Sequence, residues 1–257
     1  MLDKEKITAL IKGGADVIIL EETDSTNNVC KAIASRGAKE KTVVIAKKQT
    51  QGRGRMGRSF ISSSENGLYM TLLLRPRVKI TECIDMTVIA AVSVSEAIEK
   101  ITNKKCSVKW VNDVYVDNKK VSGILTEASC DFSTGLLDYA IVGIGVNVSE
   151  PEGGFDASIK DIACALYEKD APCGVKNELC AEIVNSFFHY YENMADKCYM
   201  EKYRAYSNII GKSVDVYRGN EVISGVCVDI DECANLVVES DGRIIRFNSG
   251  DARVRRV

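Results

Sequence analysis

The stretch VSGILTEASCDFSTGLLDYAIVGIGVNV, residues 121–148, holds two long runs of β-forming residues, 121–128 and 137–148, on either side of turn residues at 133–135. Two such runs so close together predict neighbouring antiparallel strands. Short strand candidates at 107–111 and 114–116, joined to them through a turn at Asp117-Asn118, extend the same sheet upstream. Further back, 17–20, 42–46 and 68–74 read as strands, the last stopped by Arg75-Pro76. Residues 24–36 read as a helix with Asp24 or Ser25 as its cap.

The clearest amphipathic helix of the first half is 84–101, where Ile84, Val88, Ala91, Ser95 and Ile98 recur at helical spacing and predict one apolar face laid on a sheet. A glycine-containing loop at 151–155 and a short helix at 159–166 follow. A long helix then carries Val175, Leu179, Ile183, Phe187, Tyr191 and Met194 on one side. His189 lies off that face and reads as a surface residue. After Tyr206 the texture changes. Strand candidates at 213–217, 222–230, 236–239, 244–247 and 252–257 alternate with turns at Gly219-Asn220, Asp231-Glu232, Asp241-Gly242 and Ser249-Gly250, a pattern that predicts a small barrel. The fold class is therefore α+β, with a first domain at 1–206 and a compact β-domain at 207–257.

A chain of 257 residues is long enough for a sizeable core and an enzyme's site. Its formal net charge of -2 carries no broad nucleic-acid footprint. The first ten residues lack a signal peptide's apolar core, and no window reaches the roughly 18 apolar residues of a membrane span, so the cytoplasm is the expected compartment. Ten cysteines occur singly, at 30, 83, 106, 130, 164, 173, 180, 198, 227 and 233, with no Cys-x-x-Cys and one histidine in the chain. That spacing argues against a structural zinc site and for small, mostly buried hydrophobes in a reducing compartment.

The densest chemical signal is Gln49-Thr50-Gln51-Gly52-Arg53-Gly54-Arg55-Met56-Gly57-Arg58. Its glycines let backbone N–H groups approach a ligand, and its arginines offer forked donors to phosphate or carboxylate oxygens. The spacing is not that of a P-loop, and the segment does not open a helix as a dinucleotide fingerprint does. Three readings stand: a plain surface loop, an arginine-rich arm for RNA, or a site for a phosphate-bearing ligand. Ser25-Thr26-Asn27 at a helix start and Lys109-Trp110-Val111-Asn112-Asp113 at a strand end favour the last. Each of these alone could be only a cap or a turn.

Taken in order, Ser25-Thr26-Asn27, Gln49 with the segment Gly52 to Arg58, Lys109-Trp110-x-Asn112-Asp113, Lys120-x-x-Gly123-Ile124-Leu125 with Glu127, and Gly143-Ile144-Gly145-x-Asn147-Val148 resemble the biotin protein ligases, or biotin-[acetyl-CoA-carboxylase] ligases. The resemblance implies a class II aminoacyl-tRNA-synthetase-like catalytic domain with a mixed, mainly antiparallel sheet, closed by an SH3-like β-barrel. It implies ATP with Mg2+, biotin as substrate, biotinyl-5'-AMP as intermediate, and a lysine of the biotin carboxyl carrier protein as acceptor.

By the same resemblance Lys109, Arg55 and Arg53 are the catalytic cations. The biotin contacts are Ser25, Thr26, Asn27, Gln49, Gly52, Gly54, Gly123, Ile124 and Gly145, together with Arg53, Arg55 and Lys109. Arg53, Arg55, Arg58, Lys109, Trp110, Asn112, Asn147 and Arg255 are the ATP and adenylate contacts. No residue is an assured metal ligand, Asn112 or Asp113 being the candidate for Mg2+.

Two positions depart from the pattern. Val111 stands where proline is common and frees a φ angle, and Met56 replaces a frequent arginine. Ser25 follows only 24 residues, too few for the DNA-binding domain some bacterial ligases carry, so a monofunctional ligase with no operator or membrane binding is expected. Sheet edges in related ligases often pair, so a homodimer stays open. The rivals are a lipoate-protein ligase, which resembles the same fold, an RNA-binding module, and a non-enzymatic carrier-binding protein.

Overall fold

A computed structural model describes residues 1–62, 64–131, 133–219 and 221–255. The turn expected at Gly219-Asn220 and the strand end at 256–257 fall partly outside them. In chain order the elements are α1 (Lys4–Leu10), β1 (Asp16–Thr23), α2 (Thr26–Ser35), β2 (Thr42–Gln49), β3 (Gly67–Leu74), α3 (Cys83–Thr102), β4 (Cys106–Lys109), β5 (Asp113–Val116), β6 (Lys119–Asp131), β7 (Leu136–Asn147), α4 (Val175–Glu192) and α5 (Cys198–Tyr206). Then come β8 (Ser213–Arg218), β9 (Glu221–Ile230), β10 (Leu236–Ser240), β11 (Arg243–Phe247) and β12 (Asp251–Val254).

The first seven strands form one sheet in the order β1-β2-β3-β7-β6-β5-β4. β1 and β2 run parallel and every other neighbouring pair is antiparallel, so the sheet is mixed and mostly antiparallel. The 121–148 stretch forms the pair β6–β7, in register from Ser122 opposite Val146 to Asp131 opposite Leu136, with a shift between Ser129 and Cys130. Asp117 and Asn118 both take positive φ, which closes β5 and β6 into a tight hairpin.

Strand alternation sends Leu68, Met70, Leu72 and Leu74 of β3 and Val142, Ile144 and Val146 of β7 into one continuous core. α3 lies in that layer, and here the expectation of a single apolar face needs correcting. Residues 85–95 of α3 are all buried, because α4 and α5 cover the side turned away from the sheet. A helix between two layers has no solvent face to keep polar. On the opposite side of the sheet α2 is the one helix that packs among the described residues, setting Cys30 and Ala34 on Val44, Leu73 and Ile141. The rest of that face stays open for a site.

The helix expected at 159–166 does not form. The chain makes one turn there, Ala163 N–H donating to the Ile159 carbonyl, and then extends. Cys164 and Leu166 give their N–H groups to Lys120 and Asn147 at the ends of β6 and β7, a tertiary pairing that outcompetes a second helical turn. Two helices carried no sequence expectation. α1 is capped by Asp3 and clasped to α4 through Asn177 and Asn185, and α5 packs on α3.

The last five strands form an antiparallel sheet in the order β11-β10-β9-β8-β12, with β11 and β12 at its two edges. Its inner residues Val214, Val216, Leu236 and Phe247 share one hydrophobic cluster with Trp110, Tyr199 and Tyr203 of the preceding segments. Trp110 Nε1 also donates to the Ala234 carbonyl at 2.8 Å. Cys30, Cys180 and Cys227 are buried and Cys173, Cys198 and Cys233 exposed, the other four lying between, so burial of the cysteines is less general than expected. His189 is exposed on α4, as its place off the apolar face predicts. Among the described residues no helix is long and apolar enough to cross a membrane.

Candidate active site

On β6 and β7 the residues facing away from the helical layer include Gly123, Leu125 and Glu127 and, opposite them, Gly145, Gly143 and Ile141. Gly123 and Gly145 are direct cross-strand partners, which leaves a bare strip of backbone on the open face. A Cβ on Gly143 would stand 2.1 Å from Asn27 Oδ1, and one on Gly145 2.6 Å from the Phe60 ring. Other groups already occupy the room the missing side chains leave.

α2 begins above this strip. Ser25 holds the N-cap position but makes no side-chain cap bond, the nearby Asp24 carboxylate instead accepting the Ser25 N–H at 2.6 Å. Thr26 donates through its N–H (2.8 Å) and its hydroxyl (3.1 Å) to Gln49 Oε1, and Gln49 Nε2 reaches Ser62 Oγ at 3.2 Å. Thr71 Oγ1 lies 2.7 Å from Asn27 Oδ1 and 2.8 Å from Thr26 Oγ1. Asn27 Nδ2 donates to Glu127 Oε2 at 3.0 Å. These buried polar groups satisfy one another, so the slot floored by Gly123, Gly143 and Gly145 has rigid, mostly neutral walls.

The glycine-arginine segment folds back over the slot. Gly52 accepts the Phe60 N–H at 2.9 Å, and a Cβ on Gly52 would fall 2.2 Å from the Phe60 carbonyl oxygen. Residues Arg55–Gly57 form a single 3-10 turn in which Met56 (φ 54°) and Gly57 (φ 74°) are left-handed, with the Met56 side chain in solvent. The return strand brings Phe60 over Gly123 and Gly145, edge-on to Tyr69.

Past Phe60 the slot opens into a cleft of about 590 Å3, Arg53, Phe60 and Gly123 belonging to both. Among the described residues Arg53, Arg55, Arg58, Lys109, Lys120 and Arg253 line it with two carboxylates, Asp113 and Asp251. Arg53 Nη1 is 3.0 Å from both Asn28 Oδ1 and Glu127 Oε2, and Arg55 Nη1 donates to Asn112 Oδ1 at 2.9 Å. Asn112 is itself held on β6, its Nδ2 donating to the Ile124 carbonyl at 2.9 Å. Lys109 and Arg58 converge on Asp251 from β12 of the second sheet. Burial pushes the Asp251 carboxyl up, but Lys109, with Arg253 and Arg58, more than offsets it and holds the group below the usual carboxylate range. Burial, with Asp113 and Asp251 nearby, pushes the Tyr115 phenol up to about 12, so it stays a neutral donor on the wall.

The structure thus brings Ser25, Thr26, Asn27, Gln49, Arg53, Gly123 and Gly145 together around the slot. Gly54, Arg55, Arg58, Lys109, Trp110, Asn112, Asp113, Ile124 and Asn147 gather on the cleft, while Gly52 shapes the loop over them. Arg255 stands apart. It pairs with Asp215 at 2.9 Å, and Arg253, two residues earlier on the strand, is the arginine lining the cleft. Thr71, Phe60, Asp251 and Lys120 were not singled out from sequence. Lys120 belongs to the Lys120-x-x-Gly123 motif, and its Nζ lies over Gly123 at the junction of slot and cleft, 2.7 Å from Asp113 Oδ1 without hydrogen-bond alignment.

Among the described residues no three His, Cys, Asp or Glu side chains converge on one point. Asp113 and Asp251 are each already beside a lysine. On the cleft wall Asn112, Asp113 and Asp251 carry side-chain oxygens that a metal could take.

Residues 19–147 match the family model for the biotin/lipoate A/B protein ligase family, and residues 209–255 match that for the biotin protein ligase C-terminal domain. The chain belongs to the biotin/lipoate A/B protein ligase family. It is 30% identical over 246 residues to the bifunctional ligase/repressor BirA of Bacillus subtilis, covering 93% of this chain and 74% of that one. The biotin-[acetyl-CoA-carboxylase] ligase of Mycobacterium tuberculosis is 26% identical, with 96% and 92% covered. The fold superimposes with a TM-score of 0.77 on the Aquifex aeolicus biotin protein ligase solved with biotin and ATP, at 32% identity over 94% of this chain and 99% of the other. The family match to 19–147 contains the whole slot, and the C-terminal match contributes Asp251 and Arg253 to the cleft.

Proposed function

We propose that this member of the ligase family joins biotin to ATP as biotinyl-5'-AMP and then transfers the biotinyl group to a lysine of a biotin carboxyl carrier protein. The observation that carries this reading is the two-part site. A neutral, hydrogen-bonding slot runs at Gly123 and Phe60 into a cation-lined cleft, inside a chain matched by both ligase models. The slot's neutral donors and acceptors match those of a neutral polar ring, and the cleft's cations match a carboxylate beside a polyphosphate.

In this reading Ser25, Thr26, Asn27 and Gln49 hold the ureido end of biotin, and Gly123, Gly145 and Ile124 bound its length. The biotin carboxylate oxygen attacks the α-phosphorus of MgATP, the bond to the leaving pyrophosphate breaks, and negative charge builds on the phosphoryl oxygens. Arg53, Arg55, Lys109 and, by its position at the junction, Lys120 stabilise that charge; their attraction also offsets the repulsion between two anionic reactants. Arg58, Trp110, Asn112 and Asn147 hold the nucleotide side, Arg255 staying at its margin. Asp113 or Asn112 would offer an oxygen to Mg2+ carried on the ATP phosphates, which would offset part of their negative charge. A neutral lysine amine of the carrier then attacks the acyl carbon, AMP leaves, and the amine's proton passes to water. The turn at Gly52 to Phe60 roofs the junction and limits hydrolysis of the mixed anhydride.

We place the reaction in the cytoplasm and assign the adenylation site to residues 1–206 with a cleft wall from 207–257. The test is biotin-dependent AMP release from MgATP, with and without an apo carrier protein whose mass is followed, and with lipoate in a parallel arm. AMP release with a mass gain of one biotinyl group is the expected result. Lipoate-dependent release alone would transfer the reading to the other substrate of the family, and no release with either sinks it.

A further inference from the structure

Asp251 occupies an unusual place in the charge pattern. It is the first residue of β12, in the second sheet, yet its side chain is only 18% exposed and faces the cleft built on the first. Oδ1 accepts from Lys109 Nζ at 3.2 Å; Oδ2 accepts from Arg58 Nη2 at 3.3 Å and Arg253 Nη2 at 3.2 Å. One carboxylate thus compensates cations from three separate segments: the glycine-arginine turn, the end of β4, and its own strand. Arg53 is compensated differently, by Glu127 on β6, and Arg55 has an amide partner and no carboxylate within 4 Å among the described residues.

A phosphate group reaching Lys109 and Arg58 meets these same ion pairs and is repelled by the same carboxylate. We propose that Asp251 is an internal counter-anion that competes with substrate phosphate for Lys109 and Arg58, so that nucleotide binding in this cleft is an exchange of one anion for another and its affinity is set from the second sheet. The proposal rests on the reading above only in taking the entering anion to be a polyphosphate. The compensation has its own physical purpose. Six cations in one half-buried cleft repel one another, and a fixed carboxylate lowers that cost while limiting how tightly a highly charged product such as pyrophosphate is retained.

The experiment is calorimetric titration of the full chain and its Asp251→Asn variant with inorganic tripolyphosphate and with ATP. The neutral variant is expected to bind both about tenfold tighter at low salt, the gain shrinking as salt is raised. Asp251→Glu should restore the original affinity, and the gain should vanish in a Lys109→Met background. Asp251→Ser, too short to reach Lys109, is a second neutral variant and must move in the same direction should the amide variant fail to fold. Unchanged or weaker binding in a folded neutral variant overturns the proposal, since a carboxylate that merely positions Lys109 predicts loss. So does the absence of polyphosphate binding in every form. Biotin-dependent AMP release by the unaltered chain, measured alongside, decides the ligase reading separately.

Discussion

The slot and the cleft are neighbours built in opposite ways. In the slot, recognition groups sit on a helix start and on strands, they are buried, and neutral hydrogen bonds tie them together: Thr26 to Gln49, Thr71 to Thr26 and Asn27. In the cleft, the groups are long cationic side chains on a turn, two strand ends and a second sheet, held by ion pairs. The difference follows from what each part can afford to bury. Neutral donors and acceptors can be made rigid in advance because they satisfy one another, whereas a set of like charges is stable only with counter-charges a ligand must displace.

The sharpest way to separate the two parts is to remove Arg55, the cleft arginine with no carboxylate partner among the described residues. Arg55→Met is expected to lower biotin-dependent AMP release about 100- to 1000-fold, with a smaller loss of biotin affinity, within about tenfold, by calorimetry. Equal loss of both would mean that slot and cleft act as one unit. The converse change is Gly143→Ala, whose methyl group would fall 2.1 Å from Asn27 Oδ1, an atom that Thr71 holds in place. Because Asn27 cannot yield cheaply, biotin affinity should drop roughly tenfold or more while ATP affinity changes less than about twofold. A tolerated methyl group would show that the slot walls are not rigid. The smallest effect is expected from Thr71→Val, which removes the hydroxyl shared by Thr26 and Asn27. It should cost about 1 kcal/mol and lower the melting temperature by a few degrees, measured by scanning calorimetry. A neutral result would place the rigidity of the slot in the strands rather than in the hydrogen bonds.

Much of the frame was readable from the chain. Runs of apolar and β-branched residues marked β2, β3, β6 and β7, because strands covered on both faces carry few polar positions, and the turn residues marked the five short strands that follow. Residues 159–166 misled because their apolar spacing is helical, while their backbone is claimed by Lys120 and Asn147. α3 was found but its surroundings were not, since a helix face covered later by α4 looks the same in sequence as one laid on a sheet.

The site divides along the same line. Glycines at 123, 143 and 145, the triplet Ser25-Thr26-Asn27 and the arginine turn are chemically conspicuous wherever they fall, so the sequence alone determined the family and named most of the residues that line the slot and the cleft. Which cation meets which anion was decided only in three dimensions. Arg53 is met by Glu127, Lys120 lies at Gly123 beside Asp113, and Asp251 reaches Lys109 across 142 positions. Local pattern records what a residue can do at short range. The electrostatic partners of a charge depend on distance in space, and that is set by how the arginine turn folds over the first sheet, how its strands pair, and how the second sheet docks on it.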